Sequence, residues 1–149
     1  MQPVKVNGFQ LTGYSVRTSN LDEMQPETAK IGDLWAQFYS QQGSKLTERS
    51  NVYGVYTDYD SDFSGDYRVF AATDTSINDD QLSSLSIAAG LYYVFSAQGE
   101  LPNAIIELWG HIWEYFSNED THYQRAYTAD FEHFKSPSSF DIYIAVKEK

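Results

Sequence analysis

The sequence contains no cysteine. That excludes disulfide staples, thiolate metal sites and cysteine nucleophiles, and it fits a reducing compartment. Basic residues are scarce: 10 Lys and Arg stand against 21 Asp and Glu, for a formal net charge of −11. The few cations are scattered, so the clusters that grip a phosphate backbone are missing and direct nucleic-acid binding is not expected. No basic segment followed by an apolar stretch opens the sequence, and no apolar run is long enough to span a bilayer. The expectation is a cytoplasmic protein with no membrane partner. Catalytic signatures are lacking too: there is no Gly-x-Ser-x-Gly elbow, no Walker loop and no His-Glu-x-x-His. His111, His122 and His133 have no partners at zinc-ligand spacing, so no metal or other cofactor is expected.

Aromatic residues are plentiful. The chain has 12 Tyr, 9 Phe and 3 Trp, or 16% of its residues. Rings bury large areas in a core, but a buried Tyr also wants a partner for its hydroxyl. A Tyr-rich, acidic chain suggests a surface or cavity built from rings and a few carboxylates. A negative field of this kind favours cationic partners.

One short phrase occurs twice. Asp33-Leu34-Trp35, followed by Phe38-Tyr39, is echoed by Glu107-Leu108-Trp109, followed by Ile112-Trp113. Ile31, Leu34, Trp35, Phe38 and Tyr39 keep helical spacing, as do Ile105, Leu108, Trp109, Ile112, Trp113 and Phe116. Pro26 suits the first turn of the first helix, and Asn103 is a candidate cap for the second. Each helix is preceded by one strand candidate, at 9–18 and 90–96, and followed by two. Those are 51–57 and 67–72 in the first half, and 125–134 and 140–146 in the second. The order is therefore β-α-β-β, twice, with halves of about 4–74 and 85–147 joined by a Ser/Thr/Asp-rich connector. At 149 residues this suits a single domain of two fused repeats. A cleft between repeats is a natural ligand site.

Asp58, Asp60 and Asp62 alternate like calcium ligands, but the sixth and twelfth positions hold Phe63 and Val69 where Gly and Glu are needed. A solvated acidic turn is expected there. Asp33, Glu107 and Glu114 fall on the polar faces of their helices and read as solvated. Glu132 differs. Strand alternation sends Asp130, Glu132 and Phe134 to one face and Phe131 and His133 to the other. A carboxylate beside Phe134 on a sheet face is partly desolvated, and it either takes up a proton or wants a cation.

Taken together, Leu34-Trp35, Tyr53-Gly54-Val55-Tyr56, the run from Ala88 to Phe95, Leu108-Trp109, Asp130-Phe131-Glu132-His133-Phe134 and the run from Phe140 to Val146 resemble the GyrI-like effector-binding domains. Those domains also serve as the ligand modules of AraC-type and MerR-type multidrug regulators. The similarity is greatest to stand-alone members carried on integron gene cassettes, which bind cationic drugs. The resemblance implies an α+β fold of two pseudo-symmetric β-α-β-β repeats. Their strands form a curved antiparallel sheet, with helices on one side and a ligand cleft between the halves. It implies Glu132 as the charge partner of a lipophilic cation, with Tyr53, Tyr56, Tyr92, Trp109 and Phe134 as aromatic company. Both ends of the chain are used by the module, which leaves no helix-turn-helix reader, so any transcriptional role needs a regulator partner. Two other functions stay open: a small-molecule hydrolase using Glu132 and a Tyr, and an acidic module for protein interaction.

Overall fold

A computed structural model describes residues 2–149. Eight strands form one antiparallel sheet: β1 (Val4–Val6), β2 (Phe9–Ser19), β3 (Val52–Thr57), β4 (Asp66–Thr73), β5 (Ser83–Ile87), β6 (Gly90–Gln98), β7 (Tyr123–Ser136) and β8 (Ser139–Glu148). Three helices accompany them: α1 (Asn20–Glu23), α2 (Ile31–Gln42) and α3 (Asn103–Ser117). The sheet order β1-β6-β8-β7-β3-β4-β2-β5 reads the same from either end once repeats are matched. First-half β3-β4-β2 mirrors second-half β7-β8-β6, and the added edge strands β5 and β1 complete the symmetry. The pseudo-two-fold passes between β3 and β7, which pair from Val52↔Phe134 to Thr57↔Ala129. The duplicated order expected from the sequence is thus present. The short edge strands β1 and β5 are additions, since the segment holding β5 had read as connector.

The sheet is a half-barrel because its connections force it to curl. β1 and β2 are six strand spacings apart, about 29 Å in a flat sheet. Only Asn7 and Gly8 join them, and such a link reaches about 11 Å. Ala88 and Ala89 make the matching link from β5 to β6. The curl closes on one face. Phe9 of β2 and Phe131 of β7 lie three strands apart, yet their rings meet at 5.6 Å between centroids. Leu11, Tyr53, Val55, Ile87 and Tyr92 join Phe131 there in a core drawn from both halves.

The helices cover the other face. α2 buries Leu34 and Phe38 against Tyr14, Tyr67 and Val69. α3 buries Leu108 and Ile112 against Tyr93, Phe140, Ile142 and Ile144. Both are amphipathic in the expected register. Asp33, Glu107 and Glu114 point to solvent.

The start of α2 differs from the sequence expectation. Pro26 sits in a turn, and α2 begins at Ile31. The reason is Glu23, whose carboxylate accepts from the amides of Lys30 (2.8 Å) and Ile31 (3.1 Å). A side chain borrowed from α1 thus satisfies amides that a local cap would otherwise serve. α3 begins one residue after Pro102, with Asn103 inside the helix and no side-chain cap bond.

Candidate ligand site: a carboxylate under an aromatic cavity

Glu132 lies at the centre of β7, directly across from Gly54 of β3. It is 4% exposed. Its burial follows from strand alternation, which points it at the helix face, and from two helices that each deliver a Trp over it. Trp109 Nε1 of α3 donates to Glu132 Oε2 at 2.8 Å, and the Tyr56 hydroxyl of β3 donates to the same oxygen at 3.0 Å. Trp35 of α2 closes the other side, within reach of Gly54. Gly54 is required by this close approach: a Cβ there would lie 2.2 Å from Glu132 Oε1 and 3.2 Å from Trp35 Cζ2.

Among the described residues, no Lys or Arg lies within ion-pair distance of Glu132. Burial pushes its carboxyl up to about 7, against the two hydrogen bonds, which pull it down. The Tyr56 hydroxyl is held well above its ordinary value, first by burial and then by the charge of Glu132. It therefore stays a proton donor at neutral pH.

Above this carboxylate is a cavity of about 200 Å³ between the two repeats. Tyr56 and Trp109, the two donors to Glu132, form part of its lining. Tyr59, Tyr67, Trp113 and Arg125 supply more of the wall. Arg125 adds no free positive charge. It forms a 2.7 Å ion pair with Asp130, both side chains being buried. The Tyr59 hydroxyl donates to the same Asp130 oxygen at 2.6 Å. The Tyr127 ring lies 4.4 Å from the guanidinium carbon, a cation–π contact.

The structure gathers some of the anticipated residues and separates others. Glu132, Trp109 and Tyr56 form one hydrogen-bonded group. Phe134 shares their face but packs edge-on against Trp35, at 5.4 Å between centroids. Tyr53 and Tyr92 lie on the opposite face, in the core of the curl with Phe131. Tyr53 stacks on His133 there, and the Tyr92 hydroxyl donates to the Ala88 carbonyl. Their separation is a matter of parity. Tyr53 and Tyr56 are three residues apart, and an odd spacing on a regular strand puts two side chains on opposite faces.

Sequence reading missed Tyr59, Phe63, Tyr67 and Arg125. Two of these sit in or beside the acidic loop expected to be a solvated turn. Asp60 and Asp58 of that loop pair with Arg17 and Arg68, and the Asn20 side chain donates to the Phe63 carbonyl at 2.9 Å. The loop is therefore pinned over the cavity with Tyr59 and Phe63 facing in. Two rings inside a run of carboxylates were the available signal.

A family model for integron-associated effector binding proteins (Cass2) matches residues 4–146. A search of the curated proteins finds no match. Among solved structures, the integron cassette protein VCH_CASS2 from the mobile metagenome of Vibrio cholerae is 45% identical, with a TM-score of 0.91 over 97% of this chain and 94% of that one. The structure of SAV2435 bound to tetraphenylphosphonium has a TM-score of 0.73 at 17% identity, over 98% of this chain and 93% of that one. The EcmrR C-terminal domain has a TM-score of 0.59 at 12% identity, over 99% and 96%. These last two share the fold. With a family match over almost its whole length and a relative at this identity, the chain belongs to the family of integron-associated effector binding proteins.

Proposed function

We propose that this protein binds lipophilic cations, with Glu132 as the charge partner and the rings around it as the walls. The observation that carries the proposal is a buried carboxylate with no cation beside it, roofed by a small aromatic cavity between the repeats. Such a charge is costly to leave unpaired, and a positive guest relieves it. A neutral guest of the same shape does not, which gives selectivity for charge. Ring faces add about 0.5–2 kcal/mol each to a cation while tolerating varied shapes. Tyr56 and Trp109 stand between the cavity and the carboxylate, so the guest reaches Glu132 by turning one of these side chains aside. A protein of the same fold holding tetraphenylphosphonium supports the reading. A cytoplasmic location, with a regulator partner linking ligand binding to transcription, belongs to the same proposal.

The test is a dye-displacement titration with a cationic ligand and an isosteric neutral one. The cation should bind tighter, and Glu132→Gln should lower its affinity by about 2–3 kcal/mol, the scale of a charge-assisted contact. Equal affinity for both ligands, or undiminished binding by the variant, would defeat the proposal.

A second reading rests on the same pair. A carboxyl near 7 bonded to a protonated Tyr is suited to general base and acid roles. Hydrolysis of a reactive small substrate, with a rate rising through pH 7 and lost in both Glu132→Gln and Tyr56→Phe, would establish it.

A further inference from the structure

The cavity is too small for the ligands its chemistry invites. Pockets that enclose drug-sized molecules run to roughly 300–1,000 Å³, and this one holds about 200 Å³. Its mouth, moreover, is apolar and open to water. Ile106, Trp113 and Phe63 line the cavity, yet they are 62%, 46% and 52% exposed. Isolated exposed hydrophobics are ordinary on a protein surface. These are not isolated. Ile106, Trp109 and Trp113 stand at helical spacing on one face of α3, so they form a continuous stripe. The Trp109 and Trp113 rings are 6.3 Å apart. The stripe thus runs from the indole that touches Glu132 out to solvent. Phe63 is tied to α1 through the bond from Asn20, and Leu21 of α1 and Met24 just after it are exposed as well.

We propose that the cavity takes only the charged head of its ligand, and that a flexible apolar chain leaves through the mouth and lies along Ile106, Trp113 and Phe63. The ligand class is a cationic amphiphile, a quaternary or protonated amine carrying an alkyl chain. This rests on the reading of Glu132 as charge partner and adds a second, apolar subsite to it. The continuity of the stripe with the cavity wall is what assigns it to the ligand's own chain: the same residues line the cavity and face the solvent.

The test uses the full chain and n-alkyltrimethylammonium salts from tetramethyl to dodecyl, each below its micelle-forming concentration, followed by calorimetry. Affinity should rise with chain length by about two- to fourfold per methylene, the upper figure being full burial. Ile106→Ser and Phe63→Ser, both at exposed positions that should leave folding intact, should reduce that gain per methylene. Affinity independent of chain length overturns the proposal, and so does a uniform loss in both variants with the gain per methylene unchanged. Failure of the head subsite looks different. A neutral alkyl glycoside of equal chain length that binds as tightly, with the same gain per methylene, sinks the role of Glu132 and leaves the apolar subsite standing.

Discussion

At the scale of single residues, Glu132 carries an electrostatic cost that sets two pH dependences. Its carboxyl titrates near 4.5 in the unfolded chain and at about 7 in the folded one. A group raised on folding favours the folded state fully below the unfolded value, and that contribution is lost as pH rises through the folded value. Between pH 4.5 and 7 the protein should therefore lose about 3 kcal/mol of stability through this residue. Glu132→Gln keeps an oxygen for Trp109 and Tyr56 and removes the charge. It should exceed the parent in stability at pH 8 and show far less of that margin at pH 5, measured by urea denaturation. A margin equal at both values would mean the carboxyl does not titrate in this range. The proposed cation binding runs the other way: it draws on the ionised carboxylate, so affinity should climb between pH 6 and 8. Gly54 offers a steric counterpart. Gly54→Ala places a methyl carbon in collision with Glu132 Oε1, so the carboxylate must shift and strain the bonds that its Oε2 accepts from Trp109 and Tyr56. The expected outcome is about 1–3 kcal/mol of destabilisation, the usual cost of overpacking, and weaker cation binding in the same titration.

At the scale of elements, alternation marks Glu132 as an acid beside a ring on a strand and helical spacing puts Trp109 in a repeated phrase, but their place at a ligand comes from the family resemblance. What alternation also implied, the split between Tyr53 and Tyr56, is overridden only by a bulge, and β3 has none. The bulge lies instead in β7, where residues 125 to 130 face only 146 to 144 of β8. Nothing in the local sequence announces it, because no Gly marks the place. Tyr127 itself takes the left-handed conformation, with φ of 55°. The bulge brings Arg125 and Asp130 together and leaves the Ala145 amide to be met by Asp130 Oδ1, at 2.9 Å. Asp130 thus repairs the ladder and neutralises an Arg that would otherwise repel a cation from the cavity. Asp130→Asn strands a buried guanidinium and should cost about 3–5 kcal/mol, seen as a lowered urea midpoint with unchanged slope. It should also weaken cation binding beyond what its stability loss explains at temperatures where the variant is fully folded.

At the scale of the whole molecule, the duplicated sequence suggests two halves, and the physics makes them one. The pseudo-symmetric strand order places β3 and β7 at the seam, and their six-pair ladder is central rather than peripheral. The core inside the curl draws on both repeats, with Leu11, Tyr53 and Val55 from one and Tyr92 and Phe131 from the other. Each half alone would expose one side of that core and one edge of the seam, so neither buries enough apolar surface to stand by itself. The chain should consequently unfold in a single transition. The tryptophans allow the halves to be watched separately: Trp35 reports the first, and Trp109 and Trp113 the second. In Trp35→Phe, and in a second variant with Trp109 and Trp113 both changed to Phe, fluorescence and far-ultraviolet circular dichroism should give one midpoint within each protein. The proposed site lies between the repeats, so in Trp35→Phe, which keeps the hydrogen bonds to Glu132, a bound cation should raise the midpoint as one unit. At a hundred times its dissociation constant the gain is about 2.7 kcal/mol. Two separated midpoints, or a ligand that raises only the Trp109 signal, would mean that the repeats fold apart and that the cavity belongs to one of them.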